Sequence, residues 1–238
     1  MWVLLPLKHL SAAKHRLGGF LSASERGALV RAMSDDLLGM LTLQPGIERI
    51  VICSKDRRAG QLAADWGVEH LAESELGAPG STLEMNDAVN AAASHLAAGS
   101  DIDLACIAGD VPLLSAEELA EFLRTHLRAP RPSVTLAPDR WRQGTNLIAW
   151  QPASGFSVAF GPGSMERHRA LAQHIGATFT LCEAHGSGLD IDEPRDLRAL
   201  AGELTDTLAP QTLNYLKESG LLMRLLADEK KEGVRAPL

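Results

Sequence analysis

The sequence is short of several features, and each shortage excludes a class of protein. Its 238 residues hold three cysteines, Cys53, Cys106 and Cys182, with no close pair and no histidine at zinc spacing. Neither a disulfide framework nor a structural metal is indicated, and a reduced, cytoplasmic setting is expected. It has no positive balance: the net charge is −7 and the pI about 5.6, which argues against a nucleic-acid groove as the main surface. It has no long apolar run either. Met1 leads into Trp2-Val3-Leu4-Leu5 and stops at Pro6 and Lys8, too short and wrongly flanked for a signal peptide or a membrane span. Internal repeats and low-complexity linkers are also missing, so one domain is expected, with 45% hydrophobic residues ample for a single core.

What is present is an alternation of short apolar runs with longer amphipathic segments, the signature of a mostly parallel sheet flanked by helices. The runs predict strands at 2–6, 48–53, 103–108, 133–137, 145–150 and 178–182. Three serines with a glutamate three residues on, Ser22/Glu25, Ser81/Glu84 and Ser115/Glu118, predict helices over about 23–43, 82–98 and 116–127. Another helix is expected from Ser164, and helical spacing of leucines returns after Asp196. The domain is expected to cover 1–227, with a helical extension from about 203 that packs either on the domain or against a second copy in a homodimer. The charged run Asp228–Glu232 opens a solvated tail, 228–238.

The first 24 residues contain Lys8, Lys14 and Arg16 and no acidic residue, although the chain as a whole is acidic. If residues 2–6 form a strand, these cations leave its carboxyl end, where open α/β sheets bind ligands. A triphosphate would neutralise them; a merely solvated loop explains the pattern equally well. The glycines of a Walker loop are missing, so any phosphate contact must come from side chains.

Asp110 follows an apolar run and suits a hard cation over the sheet edge, or else caps a turn. In Leu189-Asp190-Ile191-Asp192-Glu193-Pro194, extended backbone would turn Asp190 and Asp192 to one side, facing a magnesium ion. Alternatively, Asp192 caps the helix that Pro194 opens. Three carboxylates and a basic loop together suggest nucleotidyl transfer. Gly161 and Ser164, in a glycine-rich turn before a helix, could receive an anion on backbone amides with the Ser164 hydroxyl and Thr145 nearby, or simply cap that helix. Arg167 and His168 face either the same anion or water. Asn86 is a candidate base or ribose contact, or a plain helix-surface residue.

In order along the chain, several pieces resemble the guanylyltransferases of coenzyme F420 biosynthesis. They are Pro6-Leu7-Lys8 with Lys14-His15-Arg16-Leu17, Leu21-Ser22 with Glu25-Arg26, Gly109–Leu114, Gly144-Thr145-Asn146, Phe160–Ser164 with His168, and Leu189–Pro194. The resemblance implies a nucleotide-diphospho-sugar-transferase-like fold of the Rossmann-like, GT-A type. It implies GTP at the loop of Lys8, Lys14 and Arg16, with Lys14 and Asp110 catalytic and Mg²⁺ on Asp110, Asp190 and Asp192. It also implies that Thr145, Gly161 and Ser164 bind a phosphorylated three-carbon acid, namely 2-phospholactate, phosphoenolpyruvate or 3-phosphoglycerate. Val111, Gln143 and the extension past 205 depart from the family's usual pattern. Two other readings stay open: a molybdenum-cofactor-type guanylyltransferase, which normally has a Gly-Gly-rich first loop, and a non-catalytic nucleotide-sensing domain.

Overall fold

The computed structural model describes residues 1–7, 14–77 and 83–233. Among these, seven strands form one sheet: β1 (Trp2–Pro6), β2 (Arg49–Ser54), β3 (Glu69–Ala72), β4 (Leu104–Ile107), β5 (Ser133–Pro138), β6 (Thr145–Trp150) and β7 (Thr178–Leu181). Their order is β3-β2-β1-β4-β6-β5-β7. Every neighbouring pair is parallel except those of β6, which runs against both β4 and β5. Chain order reverses between β1 and β4, and such a switch point leaves a crevice at the carboxyl edge of the sheet. Because β6 is reversed, its first residue, Thr145, reaches that same edge.

The helices are α1 (Ala23–Leu43), α2 (Arg57–Trp66), α3 (Met85–Leu96), α4 (Ala116–Arg128), α5 (Ser164–His174), the single turn α6 (His185–Gly188), α7 (Pro194–Glu203), α8 (Pro210–Glu218) and α9 (Leu221–Gly233). Alternation along the strands sorts them into layers. Val3, Leu5, Ile52, Ala105 and Leu147 face a core shared with α1, α2 and α4. Leu4, Val51, Cys106, Leu136 and Ile148 face α3 and α5 on the other side.

Capping boxes close the starts of α1 at Ser22/Glu25 and α4 at Ser115/Glu118, as the sequence predicts. The third predicted box, with the helix start expected at 82, falls partly outside the described residues. Ser81 lies outside the described residues, and α3 starts at Met85 with Glu84 extended before it. The strand β3 and the helix α2 escape the sequence reading, as does the single turn α6. In β3 only Leu71 is buried, so the strand carries almost no apolar signal. For α2 the signals are there: Asp56 caps its start, accepting from the Arg58 amide at 3.0 Å, and Gly67 ends it in the left-handed region.

The extension packs on the domain. Leu197, Leu200, Leu216, Leu221 and Leu225 form a third core with Leu29, Val30 and Met33 of α1. Asp36 of α1 caps α8 from outside, accepting from the Gln211 and Thr212 amides at 2.8 Å and the Thr212 hydroxyl at 2.6 Å. The backbone of α9 stays helical to Gly233, so the extension runs six residues beyond 227 into the segment expected as a tail. Among the described residues no helix is long and apolar enough to cross a membrane.

Candidate active site

A cavity of about 920 Å³ opens at the carboxyl edge of the sheet, within the range of small-molecule sites. Lys14, Arg16, Asp110, Asp190 and Asp192 line one part of it, and Gln143, Thr145, Gly161 and Ser164 another. Lys8 lies outside the described residues.

At the charged end, Lys14 is held in left-handed backbone (φ 61°) just before a 3₁₀ turn whose Leu17 is buried in the third core. Its ammonium bonds Asp110 directly and Asp192 at 2.9 Å. Burial works against this charge, but attraction to Asp110 and Asp192 outweighs it and holds the ammonium above its ordinary pKa. Arg16, largely exposed, reaches Glu193 at 3.4 Å. Lys14 and Arg16 are therefore clasped to the acidic loop before α7.

Three devices place the carboxylates. The Ile191 amide donates to the Asp110 carbonyl at 3.0 Å, joining the two acidic loops. Gly186 lets them approach: a Cβ there would overlap the Leu113 carbonyl. Asp196 accepts from the Asp192 and Glu193 amides at 3.1 and 2.8 Å and pairs with Arg140. The cap of α7 is Glu193, in a reciprocal box with Asp196, rather than Asp192, whose carboxylate goes to Lys14.

Burial, and then the nearby charges of Asp110 and Asp192, push Asp190 up to about 6. Its partner is the Asn146 amide at 3.5 Å. Among the described residues no three His, Cys, Asp or Glu side chains form a ready metal cage. The donor set nevertheless fits magnesium: it is all hard carboxylate oxygen, it is crowded with like charge, and Mg²⁺ is usually held by one or two carboxylates completed by substrate phosphates and water.

The part around Thr145 and Gly161 is tightly bonded. Two asparagines one turn apart on α3 pair with alternate residues of the extended 158–160 segment, as a neighbouring strand would. Asn90 bonds the Val158 carbonyl and amide at 3.0 and 2.8 Å, and Asn86 bonds those of Phe160 at 3.2 and 2.7 Å. Asn86 is thus committed to the loop rather than presented to a base or ribose. Arg167 does not face an anion, because its guanidinium takes the carbonyls of Ala159, Phe160 and Pro162. His168 faces neither anion nor water: it is fully buried, accepts from the Ala159 amide at 2.8 Å and meets the Thr145 hydroxyl at 3.0 Å.

The start of α5 is only partly available to an anion. The Ser164 amide goes to the Gly161 carbonyl, the Met165 amide to the Gln143 carbonyl, and the Ser164 hydroxyl donates to Thr145 at 3.0 Å. Gly161, at φ +116°, keeps an amide that no described group accepts.

Sequence reasoning missed four contributors. Lys55 lines the cavity just past β2; the argument that singled out the loop after β1 applies equally to it. Asp139 gathers the Trp141, Gln143 and Gly144 amides at 3.1, 2.8 and 2.9 Å, shaping the turn that delivers Thr145. Asn90 and Asp196 hold backbone, and nothing in the sequence distinguishes them from other polar residues.

The chain resembles known proteins over nearly its whole length. A family model described as guanylyl transferase CofC-like matches residues 1–231. A phosphoenolpyruvate guanylyltransferase of Conexibacter woesei is 31% identical over 231 residues, covering 97% of this chain and 98% of that one. Another of that name, from a Roseiflexus species (strain RS-1), is 33% identical over 216 residues, covering 90% and 91%. Among solved structures, a Desulfovibrio desulfuricans G20 protein provisionally described as a nucleotide-diphospho-sugar transferase superposes with a TM-score of 0.70 at 16% identity, covering 94% of this chain and 96% of that one.

Proposed function

The chain belongs to the CofC-like guanylyl transferase family and is a nucleotidyltransferase; from that premise we propose that it transfers GMP from GTP to a phosphorylated three-carbon acid, releasing pyrophosphate. Phosphoenolpyruvate is the first acceptor to consider, since it is the one in the names of the relatives. The reading places the enzyme in coenzyme F420 biosynthesis, as the motif resemblance implies.

One observation carries it: a single cavity brings together Lys14 with three aspartates and, in another part, the Thr145 hydroxyl and the Gly161 amide as anion donors. A nucleotide triphosphate and a second, smaller anion are the ligands that such a division suits. Lys14, Arg16 and the cavity-lining Lys55 supply positive charge for the β- and γ-phosphates. Magnesium, held by Asp110 with Asp190 and Asp192, would neutralise phosphate charge when bound.

The acceptor's phosphate oxygen attacks the α-phosphorus. The bond from that phosphorus to the bridging oxygen breaks, and pyrophosphate leaves with the electron pair. The attacking oxygen is already ionised at neutral pH, so no side chain need remove a proton. This suits a site whose one buried histidine is pushed down to about 4 by burial and by Arg167. The chain's contribution is alignment and charge compensation. Lys14 has to exchange carboxylate partners for phosphate oxygens as the substrates enter.

The test is pyrophosphate release with Mg²⁺ and either GTP or ATP, against phosphoenolpyruvate, 2-phospholactate and 3-phosphoglycerate in parallel. Turnover with GTP and at least one acid is expected. Release without an acid, or with none of the three, would sink the reading.

A further inference from the structure

The buried triad His168, Thr145 and Ser164 has a hydrogen-bond direction that its geometry determines. The Ala159 amide can only donate, so Nε2 of His168, 2.8 Å away, must accept. A neutral imidazole then carries its proton on Nδ1, and Nδ1–H donates to Thr145 Oγ1 at 3.0 Å. The ring is neutral, pushed down to about 4 by burial and by Arg167, and it is wedged between Phe156 and Phe160 at centroid distances of 5.9 and 5.3 Å. The Ser164 hydroxyl donates to the same Thr145 oxygen, also at 3.0 Å. Both lone pairs of Thr145 Oγ1 are thereby filled. Its own hydrogen must point away from both donors, and Thr145 is a lining residue of the cavity.

We propose that His168 is a positioning residue which, through its Nδ1–H, locks the Thr145 hydroxyl as a one-way donor to the acceptor's anion. The chain of donors runs from the Ala159 amide through His168 and Thr145 into the cavity, beside the unclaimed Gly161 amide. An unrestrained threonine hydroxyl can present a lone pair as readily as its hydrogen, and a lone pair repels an anion. Filling both lone pairs from the protein side removes that choice before the ligand arrives, which is preorganisation in the sense that aids both binding and catalysis. The role also explains why a histidine without solvent access stands one turn into α5: a neutral ring that accepts on one nitrogen and donates on the other ties the 158–160 segment to β6. The proposal rests on the reading of Thr145 as an anion donor, and the experiments separate the two.

In the full-length wild-type chain labelled with ¹⁵N-histidine, long-range ¹H–¹⁵N correlation near pH 7.5 should show His168 as the Nδ1–H tautomer. The Nε2–H tautomer would overturn the proposal whatever the ligand. With phosphoenolpyruvate as the probe acid, Thr145→Val should raise its KM about tenfold and leave the KM for GTP unchanged. His168→Gln, which can still accept from the Ala159 amide but loses the donor to Thr145, should give a similar rise. His168→Asn, whose side-chain N–H takes the place of Nδ1–H, should stay within about twofold of wild type. The Thr145→Val, His168→Gln double variant should be no worse than Thr145→Val alone. A wild-type KM in Thr145→Val defeats both the reading and the proposal; a raised KM there with a wild-type KM in His168→Gln defeats the proposal alone.

Discussion

The two ends of the cavity are built on opposite principles. At the charged end, Lys14 spans Asp110 and Asp192 while Asp190 is crowded by both carboxylates, so the groups there satisfy one another only until better partners arrive. At the Thr145 end, Asn86, Asn90, Arg167 and His168 take up most backbone polar groups of 158–162, and two hydroxyls are chained in a fixed order. One end is electrostatically exchangeable and the other is preorganised. The difference matches what each end has to do. Large changes of phosphate charge call for mobile counter-charge, whereas telling one small acid from another calls for hydrogen bonds that do not rearrange.

The contrast can be broken most severely at the charged end. Asp110→Asn should lower kcat/KM by roughly 10³-fold and weaken metal-dependent GTP binding; a variant with full activity would refute the assignment of that carboxylate. Lys14→Met should cost about 10²-fold in turnover. In thermal melts without substrate, added Mg²⁺ should stabilise it more than wild type, because Asp110 and Asp192 have lost their internal cation. An equal Mg²⁺ response in the two proteins would show that the ammonium does not compete for this position.

Asn86→Ala sharpens the other side. It should raise the acid's KM several-fold, leave the KM for GTP unchanged, and cost about 1–3 kcal/mol of stability by leaving the Phe160 amide and carbonyl unpaired. If instead the KM for GTP rose, Asn86 would belong to the nucleotide after all.

A further effect is one of pH. The pKa of His168 is near 6.5 when unfolded and about 4 when folded, so between those values the unfolded chain binds the extra proton. Stability should therefore be full above pH 6.5 and decline toward pH 4, by up to about 1.4 kcal/mol per unit. Denaturant melts of wild type and His168→Asn, compared across that window, would expose the term as a flatter slope in the variant.

Legibility in the sequence followed the same division. The strands β1 and β6 and the helix α1 could be read because their apolar runs and caps are local. The carboxylates at 110, 190 and 192 were legible as chemistry, since an aspartate at the end of an apolar run already suggests a hard cation. Asn86 was not, because a helix asparagine looks the same whether it meets a ribose, water or the backbone of Phe160, 74 positions away. For His168 the sequence leaves only an anion or water as partners, since nothing local says that Phe156 and Phe160 would bury it. The extension past 203 was legible as helical and not as to what it covers; its leucines face α1 of the same chain.

By itself the sequence determined the class of fold, the starts of α1 and α4, and the inventory of charge: a basic first loop in an acidic chain and three aspartates at strand or helix boundaries. These are properties of neighbouring residues, governed by periodicity, capping and turn chemistry. Only the tertiary structure decided partnership: that Lys14 lies between Asp110 and Asp192, that Glu193 caps α7 in place of Asp192, and that Asn86 and His168 serve the backbone of a distant loop. Hydrogen bonds and ion pairs are short-ranged, so which donor meets which acceptor depends on where strand order and the reversed β6 bring each loop, and composition carries no record of that.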